Sequence, residues 1–341
     1  MRQVVLAAPA QIELRDVPTP DPGPGELRVR AEAVGICGSD LHALAGQHPF
    51  IDLPVVPGHE AAGVVDAIGD GVQDFGVGDR VLLEPNLIDG TCLYCRSGRY
   101  NLCEDLQVVG CQSDGALAEA FVAPAGRFHR VPDGVSMPAA ALVEPLSTAT
   151  HAVRVAEGVA DRSVAILGAG SIGLLTLLSA RASGAVATAI TDPLEARRSL
   201  GSELGADFAF DPTDEGAVER IRRSLPWRPD VVFDCVASRE SSAQAIALAE
   251  KGGTVVVEGV PRGPVEVPLH LIQDREIRLQ GTAMYVRQDV ERAIELVRSG
   301  AIPTERLVSA KLPLAAAEEA FATAAGRGTE SAVKVQVLPQ L

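Results

Sequence analysis

The sequence predicts an α/β protein of two domains, an irregular barrel-like β domain followed by a parallel sheet layered with helices. Three observations carry this. The chain has 341 residues, more than one ordinary hydrophobic core accommodates. Residues before about 145 are rich in Pro, Gly and short apolar runs closed by turns. After that point, short apolar runs alternate with helical patterns, the signature of right-handed βαβ units.

In the first region, VVLAA, ELRVRAEAVG, AAGVVDAIG and DRVLLEP read as strands of a small β-barrel. In the second, Ser163–Gly168, Ala187–Thr191, Val231–Asp234, Thr254–Glu258 and Ile277–Thr282 read as buried strands. Helices are expected at Ser171–Ser183, Leu194–Leu204 and Ser241–Glu250. The tail holds two further helices, Asp289–Ser299 and Leu314–Ala325, and a last strand, Ala332–Val337.

Composition narrows the function. Hydrophobic residues make up 47% and charged residues 22%, the profile of an ordered globular chain. With 45 acidic against 30 basic residues the net charge is −15, which repels nucleic acid and anionic membranes. The N-terminal apolar stretch is too short for an export signal, so a cytoplasmic location is expected. The apolar region 164–190 is broken by Gly168, Gly170, Gly173, Arg181 and Gly184, so it reads as strand, turn, helix and strand and not as a membrane span. In a reducing compartment the six cysteines are expected as metal ligands or core thiols.

SVAILGAGSIG contains Gly168-x-Gly170-x-x-Gly173. Such a motif is weak alone, but here it follows an apolar strand and opens a helix. The next strand ends at Asp192, 24 residues after Gly168. The first two glycines permit a tight turn and close approach to a pyrophosphate, and the third packs helix on strand. Ser171 and Ile172 form the first turn, whose free N–H groups face the phosphates. Asp192 is placed to bind ribose hydroxyls, which favours NAD over NADP, and Arg197 is a candidate neighbour of the adenine. The bland alternative is a glycine-rich turn with a capping aspartate before Pro193.

Two constellations suggest metal. GICGSDLH and PGHE supply Cys37, Ser39, Asp40, His42, His59 and Glu60; a thiolate, an imidazole and a carboxylate suit a catalytic zinc with an open position. The alternative is a core cysteine, a turn histidine and a surface charge. DGTCLYCRSGRYNLC supplies Asp89, Cys92, Cys95 and Cys103, a spacing that suits a structural zinc. An empty loop of free thiols is the alternative there.

These motifs, with VGDRVLLEP, ALVEPLSTATHAV and GAGSIGLL, resemble the medium-chain, zinc-containing alcohol dehydrogenase family over essentially the whole chain. The likeness is strongest to its polyol branch of sorbitol, xylitol and butanediol dehydrogenases. It implies a GroES-like catalytic domain at 1–146, completed by 284–341, and a Rossmann domain at 147–283. By the same resemblance Cys37 and His59 match fixed catalytic-zinc ligands, and Glu60 and Glu144 match positions that bind zinc directly or hold its water. Ser39 and His42 match a proton relay that runs through the cofactor ribose, and Asp40 a supporting partner. The implied reaction is hydride transfer from a secondary alcohol, diol or polyol to NAD, giving a ketone, in a homodimer or homotetramer. A threonine-type amino-alcohol dehydrogenase and a catalytically silent NADH-binding relative are the alternatives.

Two departures stand out. Asp89 occupies a position that is cysteine in most members, and Met284-Tyr285 replaces the polyol branch's Arg-Tyr pair. Methionine donates no hydrogen bonds. Simple secondary alcohols or 2,3-diols are therefore expected to be better substrates than sorbitol. Cys111 and Cys235 read as ordinary thiols, and His48, His129, His151 and His270 as structural residues.

Overall fold

The computed structural model describes residues 1–261, 263–327 and 332–341. They form two compact units, Met1–Glu144 with Ala293–Leu341, and Pro145–Arg292. Residues 284–292, which the sequence places with the first domain, lie in the second unit. Asp289 explains why. Its carboxylate accepts from Arg154 Nε at 2.7 Å and from the Val286 N–H at 3.0 Å, and it lies 2.8 Å from His151 Nδ1. Arg154 and His151 belong to the helix Val143–Val155.

In the first unit a seven-stranded sheet runs Val308–Pro313, Lys334–Leu338, Glu26–Ile36, Glu60–Ile68, Arg80–Leu83 and Phe128–Arg130, with Ala120–Pro124 paired to Glu26–Ile36 off this path. The expected barrel is not closed: among the described residues the two end strands do not pair. Phe128–Arg130 has only three residues, too few backbone groups to complete a ring. Register shifts along Glu26–Ile36 coil the sheet around Leu27, Val29, Val65, Phe121 and Phe321 instead. The chain's last strand joins this sheet antiparallel to Glu26–Ile36, with Val335 opposite Ile36.

The second unit is a six-stranded parallel sheet in the order Phe208–Phe210, Ala187–Thr191, Ser163–Leu167, Val231–Asp234, Thr254–Val257 and Arg278–Gly281. Ser163–Leu167 is buried along its whole length, which is why it reads as an unbroken apolar run. Strand order reverses between Ser163–Leu167 and Val231–Asp234, and ligands of such sheets bind outside the carboxyl ends of the strands at that point.

Candidate functional sites

Cys37 follows the long strand Glu26–Ile36 and caps the helix Gly38–Leu44. Its N–H donates to Asp40 Oδ2 at 2.8 Å, so the helix start and the thiol are fixed together. Ser39 and His42 lie three residues apart, one turn on the same helix. Glu60 opens the neighbouring strand Glu60–Ile68, and His59 immediately precedes it. One donor atom each from Cys37, His59 and Glu60 lies within 4.8 Å of the others. His59 and Glu60 are buried and Cys37 is half-buried.

Two unsatisfied atoms bear on what this cluster holds. Buried His59 Nδ1 and Asp40 Oδ1 have no hydrogen-bond partner and face each other at 3.8 Å. A carboxylate behind one nitrogen of a ligating imidazole fixes the ring and raises its basicity as a ligand. Burial acts to lower the His59 pKa, but Asp40 and the Cys111 and Cys37 thiols override it and hold the ring well above its usual value. Thiol, imidazole and carboxylate converging in a buried pocket fit a divalent zinc ion.

Sequence reading missed two members of this site. Cys111, read as an ordinary thiol, hydrogen-bonds His59. Lys334, on the last strand, is 2% exposed and donates to both Glu60 oxygens at 2.5 and 2.7 Å and to the Ile36 carbonyl at 3.2 Å. Burial lowers its pKa, but Glu60, Cys37 and Glu144 outweigh burial and raise it. Glu144 is buried at the start of the helix Val143–Val155 and acts on the same ammonium. Gly35 is required here: a Cβ would stand 1.9 Å from Glu60 Oε2.

Asp89, Cys92, Cys95 and Cys103 form a second cluster, one donor atom from each within 4.8 Å of the rest. Asp89 accepts from the Cys92 and Thr91 N–H groups and from the Cys103 thiol at 3.0 Å. The Cys103 thiol and these backbone donors hold its pKa far below the usual carboxylate range. Desolvation pushes the Cys95 thiol up to about 12, while the Cys95 N–H draws Cys92 down. Backbone N–H groups also point at sulfur, Cys95 to Cys92 at 3.5 Å and Asp89 to Cys103 at 3.4 Å. Four convergent donors with N–H groups aimed at the sulfurs fit a closed tetrahedral zinc site. Tyr100 anchors this loop to the core by donating to buried Glu84 at 2.7 Å, and Glu84 also meets His129 at 2.8 Å.

The glycine-rich turn has the expected division of labour. Gly168 sits at φ +96°, which disfavours a side chain. A Cβ on Gly173 would lie 1.8 Å from the Gly168 carbonyl oxygen, whereas one on Gly170 would meet nothing within 4 Å. Gly170 caps the helix Ser171–Ala182, leaving Ser171 and Ile172 half-buried in its open first turn. Asp192 is engaged: Oδ2 accepts from the Ala169 N–H at 3.0 Å and Oδ1 from the Leu194 N–H at 2.9 Å. A carboxylate accepts about four hydrogen bonds, so capacity for ribose hydroxyls remains. Arg197 Nη1 lies 3.9 Å from Asp192 Oδ2. Met284 adopts φ +48° and is half-buried, and Tyr285 is fully buried.

Comparison with known proteins shows the family. Residues 23–133 match the alcohol dehydrogenase GroES-like domain, and residues 171–299 the zinc-binding dehydrogenase family. Sorbitol dehydrogenase of Arabidopsis thaliana is 37% identical over 327 residues, covering 93% of this chain and 89% of its own. L-idonate 5-dehydrogenase of Vitis vinifera is 35% identical, covering 93% and 88%. The crystal structure of a zinc-binding dehydrogenase from Sinorhizobium meliloti, bound to NADP, superposes with a TM-score of 0.92 at 36% identity over 99% of both chains. This chain is an oxidoreductase of the zinc-containing medium-chain alcohol dehydrogenase family, in its polyol dehydrogenase branch.

Proposed function

We propose that this enzyme oxidises a secondary alcohol, short diol or polyol to the ketone, with zinc held by Cys37, His59 and Glu60 and with NAD as hydride acceptor. The convergence of those three donor atoms carries the reading. Bound there, zinc supplies Lewis acidity to the substrate hydroxyl, and the dinucleotide supplies the hydride acceptor. Ser39 Oγ takes the hydroxyl proton, and His42, one turn along the same helix, passes it towards solvent. Asp40 lies 3.8 Å from His59 Nδ1, and Lys334 balances the negative charge that Glu60, Cys37 and Glu144 bring together. Glu144 is proposed to hold solvent or substrate and not the ion, because it stands outside the three-donor cluster.

A second zinc in the Asp89, Cys92, Cys95 and Cys103 loop would be structural, since four protein ligands leave no open position. NAD preference rests on the Asp192 carboxylate, which opposes a 2′-phosphate. Arg197 beside it is the feature that would tolerate one, and the Sinorhizobium relative binds NADP.

For substrate, the relatives named for sorbitol and L-idonate favour polyols, and the absence of an arginine at Met284 favours fewer hydroxyls. Initial rates with sorbitol, xylitol, 2,3-butanediol and 2-butanol, followed by NADH absorbance, test this. We expect higher kcat/KM for 2,3-butanediol or 2-butanol; a clear preference for sorbitol contradicts it.

The strand Arg278–Gly281 ends its sheet and exposes Leu279 at 43%, an edge suited to a second copy of the chain in a homodimer or a dimer of dimers. A cytoplasmic site fits the free cysteines and the absence, among the described residues, of any helix long and apolar enough to cross a membrane.

A further inference from the structure

The strands Val231–Asp234 and Thr254–Val257 end beside the glycine-rich turn, and a carboxyl is buried there that the mechanism above does not use. Glu258 follows the second of these strands. The residue is half-buried, but its carboxyl is enclosed. Thr176, on the helix Ser171–Ala182, donates to both carboxyl oxygens at 3.0 and 3.3 Å, and the Cys235 thiol reaches Oε1 at 3.6 Å. The charged group facing it is Asp234, whose Oδ2 is held by Ser242 at 2.9 Å and whose Oδ1 takes the Ala237 N–H at 2.8 Å. Burial, the largest effect, pushes the Glu258 pKa up to about 8 against the Thr176 and Cys235 hydrogen bonds, and Asp234 adds to the rise. The Cys235 thiol is raised well above its usual value, first by burial and then by Glu258 and Asp234.

Its position relative to the dinucleotide follows from the sheet. Cys235 and Val236 stand at the point where strand order reverses, and Val236 packs on Gly168 so closely that a Cβ there would be 2.8 Å away. With Asp192 on the adenosine side, over Ala187–Thr191, the nicotinamide half would run the other way, over the ends of Val231–Asp234 and Thr254–Val257. The oxidised ring carries a positive charge and the reduced ring carries none.

We propose that Glu258, clamped by Thr176 and Cys235 under the nicotinamide half of the site, discriminates between the oxidised and reduced cofactor. This rests on the dinucleotide reading of the second unit. An ionised Glu258 attracts the oxidised ring and has no charge to meet in the reduced one. Binding of NAD⁺ therefore favours loss of the Glu258 proton, and binding of NADH leaves that proton in place. Affinity for NAD⁺ relative to NADH rises with pH as a result.

The test is the ratio Kd(NADH)/Kd(NAD⁺), from NADH fluorescence titration and its displacement by NAD⁺, between about pH 6 and about pH 10. It uses the zinc-loaded wild type, Glu258→Gln and Thr176→Val. The wild-type ratio should rise about tenfold across the interval. The Glu258→Gln ratio should change by about twofold or less, the remainder coming from other groups. Thr176→Val removes a hydrogen bond to the carboxylate and should move the step to higher pH. A Glu258→Gln ratio that tracks the wild type, or a step unmoved in Thr176→Val, overturns the proposal. Failure of the wild type to bind NADH overturns the dinucleotide reading beneath it.

Discussion

Fourteen positions separate Asp89 from Cys103, and 274 separate Glu60 from Lys334. The cysteine loop makes its cluster from one short segment near the surface, with its own backbone N–H groups aimed at its sulfurs. The Cys37, His59 and Glu60 cluster is assembled from the sheet itself, with an ammonium from the far end of the chain completing its charge balance. Both sets fit zinc, yet they teach different things. A closed loop of four donors is a local staple. An open set of three, enclosed in protein and balanced by a buried cation, is a place where a further ligand can be held and polarised.

Lys334→Met should break the buried site most severely. In the metal-free protein it leaves Glu60 as an uncompensated buried charge, at a cost of about 3–5 kcal/mol. Denaturant unfolding should show that loss, and Lys334→Met combined with Glu60→Gln should recover part of it. A single variant as stable as wild type would mean that Lys334 is incidental to the site.

Much of this contrast could be read in advance for the local cluster and little of it for the distributed one. Cys92, Cys95 and Cys103 announce themselves by spacing, and Gly168, Gly170 and Gly173 by their place between strand and helix. Lys334 gives no such signal. In AVKVQVL, strand alternation places Lys334 and Gln336 on the solvent face, but both are buried because this strand is covered on both sides. Gln336 satisfies itself on the Pro138 carbonyl and Lys334 on Glu60. Cys111 was equally hidden, since its only distinction is the imidazole it touches. The strand Phe208–Phe210 and the helix Ala217–Ser224 escaped because each is too short for its period to stand out. The open edge of the first sheet was missed because pairing between distant strands has no local trace.

The surface loop should behave differently from the buried site. Asp89→Asn keeps the shape of the residue but removes the charge that the Cys92 and Thr91 N–H groups and the Cys103 thiol stabilise. Zinc in this loop should bind about tenfold more weakly, read by competition with a chelator, while kcat changes little. A collapse of kcat with both metals retained would contradict the division of labour.

The smallest expected effect lies in the second unit. Wild-type kcat/KM should favour NAD over NADP by about tenfold, equivalent to about 1.4 kcal/mol. Asp192→Ala should narrow that ratio, with Arg197 left to meet a 2′-phosphate. Equal efficiency with both cofactors in the wild type would mean that Arg197 outweighs Asp192.

Zinc content measured together with turnover tests the two-site account most directly. Purified wild type should hold two zinc ions per chain. Cys37→Ser should hold one, lose nearly all turnover and still bind NADH, while Cys92→Ser should lose the other ion and retain chemistry in the molecules that stay folded. Cys37→Ser with two zinc ions and wild-type turnover would contradict the assignment of Cys37, His59 and Glu60 as the catalytic centre.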